Sequence, residues 1–98
     1  MSLLGRYKQQ TGERRKRGID YTSFLESTET ISSVLTAVTP VTSPTFTVPL
    51  LVIDPAGKKF SYFTQGGLTG NTYIVTFTVT TTGTQILEDE VELEVEDI

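Results

Sequence analysis

The stretch 72-TYIVTFTVTTTGTQILEDEVELEV-95 decides the fold. Tyr73, Val75, Phe77 and Val79 fall on one side of an extended chain, with Thr76, Thr78 and Thr80 on the other. Beyond a turn at Thr82-Gly83-Thr84, Val91, Leu93 and Val95 alternate with Glu90, Glu92, Glu94 and Glu96. A period of two with apolar residues on one side marks antiparallel strands whose other face meets water. Thr and Val are branched at Cβ and favour that pleated surface. The glutamates therefore read as a solvated strand face, whose charge also discourages pairing with other chains. They do not read as a calcium site, because acids alternating along a strand fail to converge as loop ligands do.

Working outward, TISSVLTAV and TFTVPLLVI have strand composition, with Pro40, Pro44 and Pro49 restricting where ladders run. Asp54-Pro55-Ala56-Gly57 has turn chemistry, Pro second and Gly fourth, and is expected to join Phe46–Ile53 to a strand over Lys58–Thr64. The glycines of QGGLTGN are followed by a strand, whereas a phosphate-binding loop needs a helix N-terminus behind it. YTSFLES fits either one helical turn or a first strand. Short strands between Gly and Pro turns predict an all-β chain, a small antiparallel immunoglobulin-like β-sandwich. Its expected core holds Ile31, Val34 and the inward residues of the two long strands, Tyr73 to Val95. In LTGNTY, Leu68 precedes Tyr73 by five residues, which resembles the tyrosine corner of such sandwiches, so both are assigned a structural role.

Charge is distributed unevenly. Arg6, Lys8, Arg14, Arg15, Lys16 and Arg17 face only Glu13 within residues 1–18, a net of +5. Residues 19–98 hold two lysines against eleven acids, a net of −9. The expected organisation is an extended basic arm over residues 1–18, mobile until it docks, before an immunoglobulin-like domain over residues 19–98. Nucleic acid is not the expected partner, since the body behind the arm is acidic. No apolar run approaches the ~20 residues of a membrane span, and MSLLG is too short for a signal-peptide core. The chain is expected to be made in the cytoplasm, with no membrane partner.

The 98 residues include no Cys and no His. Disulfides, thiolate metal sites, cysteine nucleophiles and imidazole bases are thereby excluded. Serine and threonine hydroxyls lack an evident base to activate them, and Lys58 and Lys59 follow a turn where they should be solvated. The acids cluster on one hairpin instead of facing each other across a cleft. The expectation is a non-enzyme without cofactor, metal or small-molecule substrate.

The arrangement resembles a family of small tailed-bacteriophage proteins, the fiber-tail adaptors. The resemblance is carried by Lys8 and Glu13, then by IDYTSFL with Asp20, Tyr21, Phe24 and Leu25. It continues through ETISSV, Glu29 to Val34, and GGLTGNTYIVTFTVTTTG, and covers roughly residues 8–96. Where the family usually has Trp near position 24 this chain has Phe24, taken as a conservative core change. Its ERRKR replaces an arm usually carrying Pro and more acid. The resemblance implies a virion structural protein, made in the host cytoplasm, that joins other virion proteins (tail connector, fiber or capsid) in a homo-oligomeric ring. The partner-binding residues expected on the arm are Arg6, Tyr7, Lys8, Arg14, Arg15, Lys16 and Arg17, with Leu3 and Leu4 adding apolar contact. Arginine suits the task because its planar fork pairs bidentately with carboxylates. Two other readings are a capsid decoration (cement) protein, and a host-surface or carbohydrate-binding module using Tyr62 or Phe63.

Overall fold

Period-two alternation over Tyr73–Val79 and Val91–Val95 closes into an antiparallel hairpin, with Val75 opposite Val91 and Tyr73 opposite Leu93. All four of those side chains are buried. The computed structural model describes residues 2–97. Its strands are β1 (Ser2–Gln9), β2 (Arg14–Asp20), β3 (Ile31–Thr39), β4 (Phe46–Thr47), β5 (Val52–Ile53), β6 (Lys59–Gly66), β7 (Asn71–Thr81) and β8 (Ile86–Val95). They form two four-stranded sheets. The first runs β1-β8-β7-β3, and the second has β6 at its centre, with β2 on one side and the short β4 and β5 on the other.

The core lies between the sheets. Alternate residues of β6, Phe60 and Tyr62, meet Phe77 of β7 at ring-centroid separations of 5.4 and 4.8 Å. Fully burying one such side chain contributes roughly 1.5–3 kcal/mol. Ile31 is buried as expected, but Val34 is only half-buried because β3 is an edge strand.

No extended N-terminal arm is seen among the described residues; Met1 lies outside them. β1 pairs with β8 in parallel, so the sandwich is not wholly antiparallel, and β2 pairs antiparallel with β6. The boundary expected between residues 18 and 19 falls inside β2. Inward-facing residues hold the segment in place. Gln9 is 2% exposed, accepts a hydrogen bond from the Thr64 hydroxyl at 2.6 Å and donates its amide to the Thr64 carbonyl at 2.9 Å. A buried amide satisfied on both ends ties β1 to the opposite sheet.

Other local differences have physical reasons. Phe46–Ile53 is not one strand, because Pro49 cannot donate to a ladder and Leu50 turns to φ 60°. β2 ends at Asp20, and YTSFLES makes one turn of 3₁₀ helix at Thr22–Phe24. Phe24 is not in the core: it is 64% exposed and meets Tyr21 edge-on. Lys58 is not left to solvent either, since its ammonium donates to the carbonyls of Glu26, Ser27 and Glu29. In the β7–β8 turn the left-handed residue is Thr84, φ 65°. Gly83 serves a different need: a Cβ there would collide with the Glu29 carboxylate.

Candidate functional site

The corner before β7 shows how the loops are held. Gly66 and Gly67 both have positive φ, and a Cβ on Gly67 would lie 3.0 Å from the Tyr73 ring. That turn aims the Leu68 N–H at the Tyr73 phenol oxygen, at 2.7 Å. Thr42 spends its single hydroxyl hydrogen on the Pro44 carbonyl, so Tyr73 donates to Thr42 Oγ1 at 2.7 Å. Tyr73 therefore accepts from one loop and donates to another. Leu68 contributes through its backbone; its side chain is 40% exposed.

The seven basic and aromatic residues expected to bind partners are divided by strand alternation. On β1, Arg6 and Lys8 point outward, opposite Glu92 and Glu94 of β8. Arg6 Nε lies 3.3 Å from the Glu92 carboxylate, an exposed pair of small energetic weight. The acidic strand is thus partly offset by the same chain's own first strand. Tyr7 points inward, and the Arg17 guanidinium from β2 lies 3.9 Å over its ring. Burial pushes the Arg17 pKa down, though not enough to discharge a guanidinium. Among the described residues its buried Nε has no hydrogen-bond partner, and the guanidinium stacks on Tyr7.

Arg14, Arg15 and Lys16 are exposed on β2. Arg14 Nε donates to the Gln65 side chain at 2.9 Å, and Arg15 lies 3.3 Å from Glu13. The Glu13 carboxylate accepts the Gln10 N–H, which with Arg15 lowers its pKa. β1 and β2 are each the edge strand of their sheet, and the Tyr7–Arg17 contact brings those edges together. Five cations on two neighbouring free edges make one flank of the sandwich basic. Between Lys16 and Lys59 the missing side chain of Gly18 leaves a shallow open groove floored by backbone at Gly18 and Phe60.

The opposite flank is built by β3, β4 and β5 and has no charge. Residues 30–53 contain no Asp, Glu, Lys or Arg. Sequence reasoning passed over this flank, although the gap in charge is visible in the sequence. Tyr62, considered above for sugar binding, is 1% exposed, and burial pushes its pKa up to about 12. Among the described residues no group of three or more His, Cys, Asp or Glu converges as metal ligands would. No helix among them is long and apolar enough to cross a membrane.

Side chains spread over two flanks and two outer sheet faces, around a solid aromatic core, define a β-sandwich that works through its surface. A family model described as Podophage GP4 fiber-tail adaptor protein gp77 matches residues 9–94, and the chain belongs to that family. It is a non-enzymatic structural component of the phage virion, a tail protein that binds other virion proteins. No curated protein matches it.

Proposed function

We propose that this chain is an immunoglobulin-like sandwich that docks in repeated copies, as a closed ring, around the phage tail through its basic flank. The topology supports the first part. Two packed sheets joined by crossing connections, and a tyrosine corner opening the penultimate strand, favour that reading. The docking reading rests on one observation: Arg14, Arg15 and Lys16 stand exposed on a free sheet edge, where Glu13 pairs with Arg15. Fixed on a strand, these cations lose less conformational freedom on binding than on a mobile arm. Their match is an acidic surface on the tail. A ring multiplies a modest contact by its copy number.

The test is incorporation into particles. Arg14→Glu with Lys16→Glu changes exposed side chains only, so the sandwich should fold with an unchanged circular-dichroism spectrum while particles lack the protein. Attachment of the wild type should weaken as salt rises from about 0.1 to 1 M, as the screening length falls from about 10 to 3 Å. Normal incorporation of the double variant would remove the basic flank from the contact.

A further inference from the structure

Residues 30–53 are free of charge in a chain with 8 basic and 12 acidic side chains. They form one whole flank, from β3 at the edge of the first sheet to β4 and β5 at the edge of the second. Leu35, Val41, Leu50 and Val52 stand on this segment at 69, 85, 59 and 58% exposure. β3 is nine residues long and, among the described residues, pairs as a strand with β7 alone; beyond Ile31, whose N–H donates to the Gly57 carbonyl at 2.8 Å, its outer side is a row of unpaired N–H and C=O groups. Folded proteins ordinarily guard such an edge with Lys, Pro, a bulge or brevity. Here the irregularity sits at the start, between Ile31 and Ser33, and Pro40 comes after the strand has ended. Ser33–Thr39 is left regular and unguarded.

The side chains beside this edge also lack neighbours. Val34 and Val38 point inward yet are only half-buried. β4 and β5 each pair with β6 over two residues, so the second sheet offers little to cover them.

We infer that β3 is completed in the particle by an extended, uncharged segment of the phage fiber, added as a fifth strand to the first sheet. This rests on the adaptor reading above: with the basic flank docked on the tail, an adaptor needs a different face for the fiber. Main-chain bonding to an open edge supplies affinity, and alternate side chains supply specificity. One set of fiber side chains lies beside Leu35 and Ala37 on the outer face. The other set lies over Val34 and Val38, closing the gap between the sheets. A charged fiber residue at either set would lose water without gaining a partner, so the segment is uncharged. A second copy of this chain is a poorer occupant. Its basic flank would bring cations against an uncharged edge. Its own β3, related by a two-fold axis, would aim the two basic flanks away from a common tail.

Hydrogen exchange on three samples tests this: the free protein, particles lacking the fiber, and complete particles. The β3 amides that point off the sheet should exchange fast in the first two and at least about tenfold more slowly in the third. Unchanged exchange in complete particles overturns the proposal. Protection already present in the free protein, with a dimer mass by light scattering, assigns the edge to a second copy and also overturns it. A companion variant, Leu35→Lys with Ala37→Lys, places charges on exposed positions and should give particles that hold the adaptor without fibers. Particles carrying both the variant and fibers, or losing the variant from the tail, contradict the assignment. Absence of the wild-type protein from tails would instead be a failure of the adaptor reading itself.

Discussion

The Arg17 guanidinium lies 3.9 Å above the Tyr7 ring, clamping the first strand of one sheet to the first strand of the other. Residues with the composition of a solvated tail are thereby part of the body. Tyr7→Ala should lower the unfolding free energy by about 1–2 kcal/mol, the range of a partly desolvated cation–π contact with some lost packing. A double-mutant cycle with Tyr7→Leu and Arg17→Met, followed by urea denaturation, should return a coupling of about 0.5–1 kcal/mol. Zero coupling would mean that the pair merely lies close.

The tyrosine corner gives a sharper number. Tyr73→Phe keeps the ring buried but strands the Leu68 N–H and one partner of Thr42. The expected cost is about 1–3 kcal/mol, the penalty of polar groups left unpaired. Phe77→Ala, which opens a cavity against Phe60 and Tyr62, should cost roughly 3–5 kcal/mol and unfold a domain this small near room temperature. Chemical denaturation of the two variants ranks them.

Acid stability should pass through Glu29. Its carboxylate accepts from the Thr81 hydroxyl, the Glu26 N–H and the Gln85 amide, and these bonds hold its pKa below the ordinary 4.5. A carboxylate depressed in the folded state contributes stability that is complete above its unfolded value. That contribution disappears as pH falls through the lowered folded value. The melting temperature should therefore drop below about pH 4.5, and Glu29→Gln should flatten that drop while lowering stability at neutral pH. At the alkaline end, burial raises Tyr21 and Tyr62 above the ordinary 10.0. The unfolded chain ionises first, so stability should fall as pH rises from 10 through the raised values. A melting curve indifferent to pH across both windows would contradict these environments.

Thr84 holds a left-handed conformation, φ 65°, that a β-branched residue adopts at a cost. Thr84→Asn should raise stability by about 0.5–1 kcal/mol, since Asn tolerates that region. Gly83→Ala should do the opposite, because its Cβ meets the Glu29 carboxylate. Thermal melts of the two variants check the pair.

Much of the fold was legible in the sequence where one rule acts alone. The β7–β8 hairpin follows from alternation, Asp54–Gly57 from turn chemistry (Gly57 N–H donates to the Asp54 carbonyl at 2.7 Å), and Leu68–Tyr73 from spacing. The first eighteen residues were not legible, because two signals compete there. Six cations and three glycines read as a solvated tail, while Tyr7 and Gln9 alternate inward as a strand. A parallel partner more than eighty residues away leaves no local trace, and a buried Gln looks polar until its bonds to Thr64 are seen. Phe24 was misplaced because an aromatic in a short motif does not reveal which way a 3₁₀ turn will face. The uncharged flank is a property of absence, invisible to a search for charged or catalytic residues.

The proposal that one sandwich holds the tail with its basic flank and the fiber with its uncharged one can be settled by electron cryomicroscopy of the intact particle. The map should show this domain in a ring between tail and fiber base, with Arg14 and Lys16 turned to an acidic tail surface and an added strand along Ser33–Thr39. A domain seated with its β1 and β2 edges in solvent, or with β3 uncovered, would contradict it.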